Sequence, residues 1–262
     1  MKRSDVLESE SRMDCRLADA YRECWWRLLD ALPKLSKEEL QQLSNPFMVK
    51  CLPAYRKAKR KILFVGQETN GWDSFEQTLS KVSSGDREAM RDNIIEYLQW
   101  MYEDFRYHRK WDHTPFWRGA RRLYKALSPD QGDDGFLHTQ LVRFDMNNTR
   151  PPKHVEDLLQ QEFNVLFMEI QALQPDVVIF LTGPNYDECI TKSFRHVVRP
   201  GDTLTFESIA GMTYNELARI SHATLPFHTY RTYHPGYSLQ RKSEAYFKSI
   251  QDKLVQLIND AD

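Results

Sequence analysis

Four short apolar runs, separated by longer stretches with helical periodicity, constrain the fold of this chain more than any other feature. The runs are residues 61–65, 136–142, 176–181 and 227–233. Because they lack the regular alternation of a half-exposed strand, they predict strands covered on both faces, as in a parallel sheet. Strands that alternate with helices predict an α/β fold with three α/β/α layers and a four-stranded, mainly parallel central sheet.

Helical patterns fill the stretches between the predicted strands, with apolar residues at spacings of three and four. The helices predicted in this way cover residues 94–105, 159–170 and 247–257. The apolar stretch 17–32, together with the capping box that Ser36 and Glu39 would form, predicts an N-terminal helical pair. Residues 194–206, which contain Pro-Gly-Asp at 200–202, are interpreted as a hairpin beside the sheet.

The length of 262 residues and the 41% of hydrophobic residues suit one core, so we expect a single domain over 1–262. Residues 1–55 would form an N-terminal helical extension packed on it. No apolar run approaches the roughly 20 residues that cross a bilayer, and the charged start does not resemble a signal peptide. We therefore expect a cytoplasmic monomer with no membrane partner.

Metal and cofactor chemistry finds little support in the sequence. The four cysteines form no CxxC pair, which argues against a zinc ribbon and against a disulfide framework. His108, Asp112 and His113 could suggest a metal site, but no third ligand follows at a defined spacing, and a solvated lid is the favoured interpretation. We expect no cofactor and no metal.

Polar residues follow each predicted strand, where ligands bind in open α/β sheets. The positions are 66–72 after the first strand, Gln140 within the second, 182–185 after the third and 234–237 after the fourth. A carboxylate, an amide, an imidazole and aromatic rings are therefore expected to meet in one pocket. In particular, Glu68 and His234 are expected to lie across one cleft, within reach of a single nucleotide.

The strand that ends in Gly66-Gln67-Glu68 and the later strand that ends in His234-Pro235 resemble the two signature motifs of the uracil-DNA glycosylase superfamily. The resemblance covers about residues 60 to 245 in strand order and spacing. It implies that Glu68, where the family usually has Asp, orients water or stabilises the sugar cation. It also implies that His234 stabilises the departing base anion, and Gln67 is placed with them in the catalytic set.

The resemblance further implies a pocket for an extruded base. Trp72 or Phe75 would stack on the base, with Phe75 preferred, and Tyr237 or Leu239 would fill the hole that the base leaves. Gln140 stands where the family usually has Asn and would read the base edge, with Asn147 as the alternative. The other pocket residues expected are Gly66, Thr69, Asn70 and Gly183. The iron–sulfur branches of the superfamily need four suitably spaced cysteines, which this chain lacks.

The expected function is that of a DNA glycosylase, as in base excision repair, which flips a deaminated, damaged or modified base and hydrolyses its N-glycosidic bond. Cleavage creates an oxocarbenium-like sugar and an anionic base, so a carboxylate and a donor stabilise the two charges. A net charge of −1 requires that phosphate contacts come from local basic clusters. The DNA-binding residues expected are Arg118, Arg121, Arg122, Arg241 and Lys242, on single- or double-stranded DNA.

Three alternatives remain open from the sequence. The same fold could serve a catalytically silent module that binds nucleic acid or a nucleotide, because function resides in the site and not in the fold. It could also serve a glycosylase against the modified bases of viral DNA. The third alternative is an enzyme of small nucleosides or nucleotides, which basic clusters facing away from the pocket would favour.

Overall fold

The computed structural model describes residues 3–82, 86–108, 112–195, 203–237 and 244–260. The chain divides into two compact units, each assembled from three separate segments. Unit 1 consists of Met1–Cys51, Glu68–His108 and Thr139–Leu173, and unit 2 of Leu52–Gln67, Arg109–His138 and Gln174–Asp262. The single domain with residues 1–55 as an extension stays a prediction. None of the described helices is long and apolar enough to cross a membrane.

The described strands form one open, mixed sheet of six strands. Their order in the sheet is β2 (Phe136–Val142), β1 (Ile62–Glu68), β3 (Val177–Leu181), β6 (His228–Thr232), β5 (Leu217–Ser221) and β4 (Thr205–Ser208). β3 pairs in parallel with β1 and with β6, whereas β5 is antiparallel to both β6 and β4. The predicted α/β class with a mostly parallel sheet is confirmed, but the sheet has six strands where four were predicted.

Helices account for most of the remaining described chain. Those of unit 1 are α1 (Arg3–Ala31), α2 (Lys37–Gln42), α4 (Phe75–Val82), α5 (Arg87–His108), α7 (Lys153–Glu162) and α8 (Leu166–Leu173). Those of unit 2 are α3 (Pro53–Lys57), α6 (Pro115–Leu127), α9 (Asp187–Phe194) and α10 (Glu244–Asn259). Short 3-10 turns cover Leu32–Lys34, Pro184–Tyr186 and Pro235–Tyr237.

The helix predictions are confirmed except in one place. The predicted helix over 159–170 is two helices, α7 and α8, because Phe163 leaves the helical conformation at φ −124° and ψ 54°. At this break the ring of Phe163 is buried and packs against Tyr21 and Phe144. Ser36 and Glu39 form the predicted capping box at the start of α2.

Unit 1 is built around the N-terminal helix. α1 lies against α5, α7 and α8, and its residues Tyr21 and Trp25 are completely buried. A buried ion pair crosses this core: Arg143 donates two hydrogen bonds of 2.7 Å to the carboxylate of Glu169. Tyr21 donates a third hydrogen bond of 2.7 Å to Glu169, and burial raises the pKa of the Tyr21 hydroxyl well above its usual value. Thr139 donates a fourth, of 2.8 Å.

Unit 2 contains β3, β6 and all of β1 except Glu68, which are three of the four strands that the apolar runs predicted. All five residues of β3 are buried, as expected for a parallel strand covered on both faces. The starts of β1 and β3 are joined by Asp176, whose side chain accepts a 2.7 Å hydrogen bond from the Lys61 N–H. Because the strands are parallel and in register, their carboxyl ends emerge at the same edge of the sheet.

The hairpin lies further along the chain than predicted. Phe194 ends α9, whereas Phe206 belongs to β4 and pairs with Ile220 of β5. The expected turn at 200–202 lies outside the described residues. The sequence signal was weak because β4 is a short, mostly exposed edge strand without an apolar run. Directly before β5, the backbone carbonyl of Glu216 accepts a 2.9 Å hydrogen bond from the Thr232 hydroxyl at the end of β6.

Candidate active site

Three parallel strands of unit 2 end side by side, and each carries polar residues identified in the sequence. β1 ends near Gln67, β3 is followed by Thr182 and Gly183, and β6 is followed by Tyr233 and His234. The Gln67 side-chain amide donates a 2.8 Å hydrogen bond to the Thr182 carbonyl oxygen. This bond joins the ends of β1 and β3 and uses one of the two donors of the amide. The hydrogen bond therefore holds the ends of β1 and β3 together at the sheet edge where a ligand would bind.

His234 is a neutral imidazole in a defined orientation. Its half-buried ring accepts a 2.9 Å hydrogen bond at Nδ1 from the backbone N–H of Gly236. Burial lowers the pKa of His234 from 6.5 to about 4. Because an imidazole that accepts at one nitrogen carries its proton on the other, Nε2–H is the donor that the ring offers.

Helix α6 forms a wall beside His234. The Phe116 ring stacks on the imidazole, with centroids 5.8 Å apart and planes inclined by 24°. Behind Phe116, the edge of Trp117 meets the ring of His138 at 4.6 Å. Phe116 is half-buried while Trp117 and His138 are buried, so this aromatic cluster joins the surface of unit 2 to its core.

Tyr237 closes the turn that holds His234. Its backbone N–H donates a 2.9 Å hydrogen bond to the His234 carbonyl, and its ring stacks on Tyr233 at 4.6 Å with an inclination of 9°. Tyr233 in turn lies over Gly183, where an added Cβ would be 3.7 Å from its ring. Gly183 has a φ of +76°, which favours glycine at this position. Leu239, the other predicted wedge, lies outside the described residues.

Unit 1 holds the acid and amide of the predicted site. Glu68 is the half-buried last residue of β1, and the Thr69 N–H donates a 3.3 Å hydrogen bond to the Val142 carbonyl at the end of β2. The Thr69 hydroxyl and the Gln140 side-chain oxygen are buried, and neither finds a hydrogen-bond partner within the described part of the chain. Because Glu68 and His234 belong to different units, their shared cleft stays a prediction.

The predicted stacking residues are both packed inside unit 1. Trp72 contacts Phe47 and Phe105 at centroid distances of 4.8 and 5.4 Å, and Phe75 meets Trp25 edge-on at 6.0 Å. Trp72 is 8% exposed and Phe75 only 2%. The structure assigns both rings a packing role, and base stacking by either stays a prediction.

The remaining predicted pocket residues differ in exposure. Gly66 is buried within β1, whereas Asn70 is exposed in the loop that follows. Asn147 is exposed at a φ of +52°, and its N–H donates a 3.3 Å hydrogen bond to the Gln42 carbonyl. This geometry gives Asn147 a turn role, since Asn adopts the left-handed region more readily than most residues.

Asp145 is a residue that the sequence reasoning missed. Its buried carboxylate accepts hydrogen bonds of 3.0 and 3.4 Å from the N–H groups of Gly71 and Trp72, and one of 3.0 Å from Asn148. The Asp145 N–H donates to the Ser44 hydroxyl at 2.8 Å. Asp145 thereby fixes the loop that follows the Gly-Gln-Glu motif. An Asp shortly after a strand and just before two Asn residues was an available turn signal.

The predicted DNA-binding residues on α6 separate into two kinds. Arg118 and Arg122 are exposed, at an i, i+4 spacing that places them on one face of the helix. Arg121 instead forms ion pairs with Asp112 at 2.7 Å and with Asp134 at 3.6 Å. Arg121 is thus neutralised locally, which the sequence could not show because its partners lie in flanking loops. The remaining two predicted residues, Arg241 and Lys242, lie outside the described residues.

No protein-family model and no curated protein matches this chain. The resemblance to the uracil-DNA glycosylase superfamily therefore depends on the two motifs and their positions at strand ends.

Proposed function

We propose that this chain is a DNA glycosylase that hydrolyses the N-glycosidic bond of a deaminated, damaged or modified base. The observation that carries the proposal is the state of His234. A neutral ring that accepts the Gly236 N–H at Nδ1 carries its proton on Nε2, and His234 follows β6 at the sheet edge where ligands bind. A fixed donor that meets negative charge as it develops on the leaving base stabilises the transition state more than the ground state.

Glu68 would carry the complementary role in this reaction. A carboxylate stabilises the oxocarbenium-like sugar or orients the attacking water, whereas a neutral donor suits the departing base. Glu has one methylene more than the Asp usual in the family, so the carboxylate of this chain reaches further from the strand. The proposal needs no metal, because each developing charge has a residue of its own.

Two buried polar atoms support a polar ligand near the ends of β1 and β2 in unit 1. Buried polar groups are nearly always hydrogen-bonded, and an exception calls for an explanation such as a ligand or water. Gln140 Oε1 and Thr69 Oγ1 are exceptions within the described residues. A base edge that donates to Gln140 would satisfy this oxygen. We also infer that helices cover both faces of the sheet, in the three-layer arrangement that the sequence predicts.

The test is hydrolysis of oligonucleotides that carry single modified bases, with abasic sites revealed by alkaline cleavage. His234→Ala should slow base release about 100- to 1,000-fold while DNA affinity stays close to that of the parent. Glu68→Gln should also slow it. His154→Ala, which changes an exposed histidine on α7, serves as the matched control. Equal rates for His234→Ala and the parent would overturn the proposal.

Two departures from the family motifs favour a second candidate, a nucleotide- or nucleic-acid-binding module without turnover. Glu68 replaces the usual Asp, and Gln140 replaces the usual Asn. Catalytic pockets lose much of their rate from misplacements of about 1 Å, and each departure shifts a polar group by about one bond. Binding to the same oligonucleotides without abasic product, in the parent as well as in the variants, would establish this second candidate.

A further inference from the structure

We propose that the first two turns of α6 are a positioning element for His234, in which Gly119 admits the Pro235 ring and Phe116 sets the imidazole plane. Phe116 and Gly119 are then positioning residues that act through His234. The kinetic consequence rests on the proposed function, whereas the orientation of the ring can be tested without it.

Gly119 has a packing reason to be glycine. A Cβ at this position would lie 2.5 Å from both Cβ and Cγ of Pro235. The proline ring is rigid, so the contact cannot be relieved by rotating a flexible side chain. Glycine is the poorest helix former after proline, so its presence within α6 carries a cost that this close approach explains. The isolated glycine in the helical pattern 115–127 was a signal for such a role.

Phe116 restricts the imidazole from one face. Its ring stacks on His234 at 5.8 Å and also lies 6.0 Å from His138. Trp117, which is 6% exposed, meets Phe116 edge-on at 5.5 Å. The rings of Trp117 and His138 thus support Phe116 from behind, and the plane presented to His234 is fixed by the core of unit 2.

The other end of the turn also meets α6. Pro115, the first residue of the helix, has its Cβ 3.6 Å from the position that a Cβ would take at Gly236. Gly236 is the residue whose N–H is bonded to Nδ1 of His234. Contacts at Pro235 and Gly236 therefore fix the turn on both sides of the hydrogen bond that selects the tautomer.

The first experiment compares Gly119→Ala with Gly132→Ala, because a Cβ at Gly132 meets no atom within 4 Å. The readout is the pair of ¹⁵N imidazole shifts of His234 at pH 7, assigned by comparison with His234→Gln. The parent and Gly132→Ala should show the single tautomer protonated at Nε2. Gly119→Ala should show averaged shifts of mixed tautomers, and shifts identical to the parent's would overturn the inference.

The kinetic arm uses the same variants on a cleaved oligonucleotide. Gly119→Ala should lower kcat about 100-fold, the loss expected for a displacement of around 1 Å, with KM little changed. If no oligonucleotide is cleaved by the parent, the proposed function fails, while the ¹⁵N shifts still decide the positioning role.

A second pair of variants keeps the inference testable if Gly119→Ala does not fold. Phe116→Ala should release the imidazole and reproduce the mixed tautomers, whereas Phe116→Tyr should retain the stack and the parent's shifts. A role in folding alone would lower the melting temperature of Phe116→Ala and leave the His234 shifts of the folded protein unchanged. That result would overturn the inference.

Discussion

The backbone N–H of Gly236 donates a hydrogen bond of 2.9 Å to Nδ1 of His234, two residues earlier in the chain. A protonated Nδ1 would place two donors against each other, so the bond favours the neutral ring with its proton on Nε2. The protonation state of the candidate catalytic histidine is therefore set within one short turn and by the burial around it.

His234 should remain neutral far below the usual range of histidine. Burial lowers its pKa from 6.5 to about 4, so an NMR titration should show no change between pH 8 and 5.5 and a midpoint near pH 4. Between pH 6.5 and 4 the unfolded chain binds a proton that the folded chain does not. The free energy of unfolding should therefore fall as pH falls through this window. His234→Gln should reduce that pH dependence, and a midpoint near 6.5 would contradict the prediction.

DNA binding should depend on Arg118 and not on Arg121. Arg118 is exposed, whereas Arg121 is paired with Asp112 and Asp134. Arg118→Gln should therefore reduce the slope of log affinity against log salt by about 0.9 for duplex or about 0.7 for single strands. Arg121→Gln, the matched control on the same helix, should leave the slope unchanged. Fluorescence anisotropy across a salt series measures the slope for each variant. Equal effects of the two substitutions would contradict a specific role of Arg118 in DNA binding.

Removing one partner of the buried Arg143–Glu169 pair should strongly destabilise unit 1. Both side chains are buried, at 5% and 0% exposure, so Glu169→Gln leaves the guanidinium without a counter-charge. We expect a loss of about 3–5 kcal/mol in the free energy of unfolding, measured in urea. Breaking the exposed Lys153–Asp157 pair by Lys153→Ala should cost at most about 0.5 kcal/mol. Similar costs for the two variants would refute the ranking.

Gln140 should set base preference at some expense of stability. Its buried Oε1 is without a hydrogen bond within the described residues, and such an oxygen typically costs about 1–3 kcal/mol. Gln140→Leu should therefore raise the melting temperature and abolish discrimination among bases. Gln140→Asn should reorder the substrates, because the amide retreats by about one bond length. An unchanged ranking across a base panel would remove Gln140 from base recognition, and Asn147 would be tested next.

Part of the fold followed directly from the sequence because burial leaves a local signature. β1 and β3 contain the continuous apolar runs 62–65 and 177–181, as expected of parallel strands covered on both faces. β6 (His228–Thr232) is mostly polar in sequence, although four of its five residues are buried. β4 and β5 were misplaced because an edge hairpin needs no apolar run. The break between α7 and α8 was missed because Phe163 fits the helical spacing, whereas its backbone leaves the helical conformation.

The candidate site was predictable at strand ends and less so in the loops. His234 and Gln67 lie at the same sheet edge because parallel strands finish together, which strand order alone implies. Asp145, Phe116 and Gly119 act through contacts with residues distant in the chain. The residue types alone do not predict such contacts, which become visible only in the three-dimensional structure.

The antiparallel arm of the sheet has a consequence for how the protein can evolve. Because β5 runs opposite to β6, the segment that precedes β5 arrives at the edge that carries His234, where Glu216 bonds to Thr232. This segment can gain or lose residues without disturbing a crossover between parallel strands. A longer or shorter loop between β4 and β5 would therefore leave the register of the parallel strands β1, β3 and β6 unchanged. Exchange of residues 209–215 would accordingly change the surface at the sheet edge that carries His234 without moving the parallel strands.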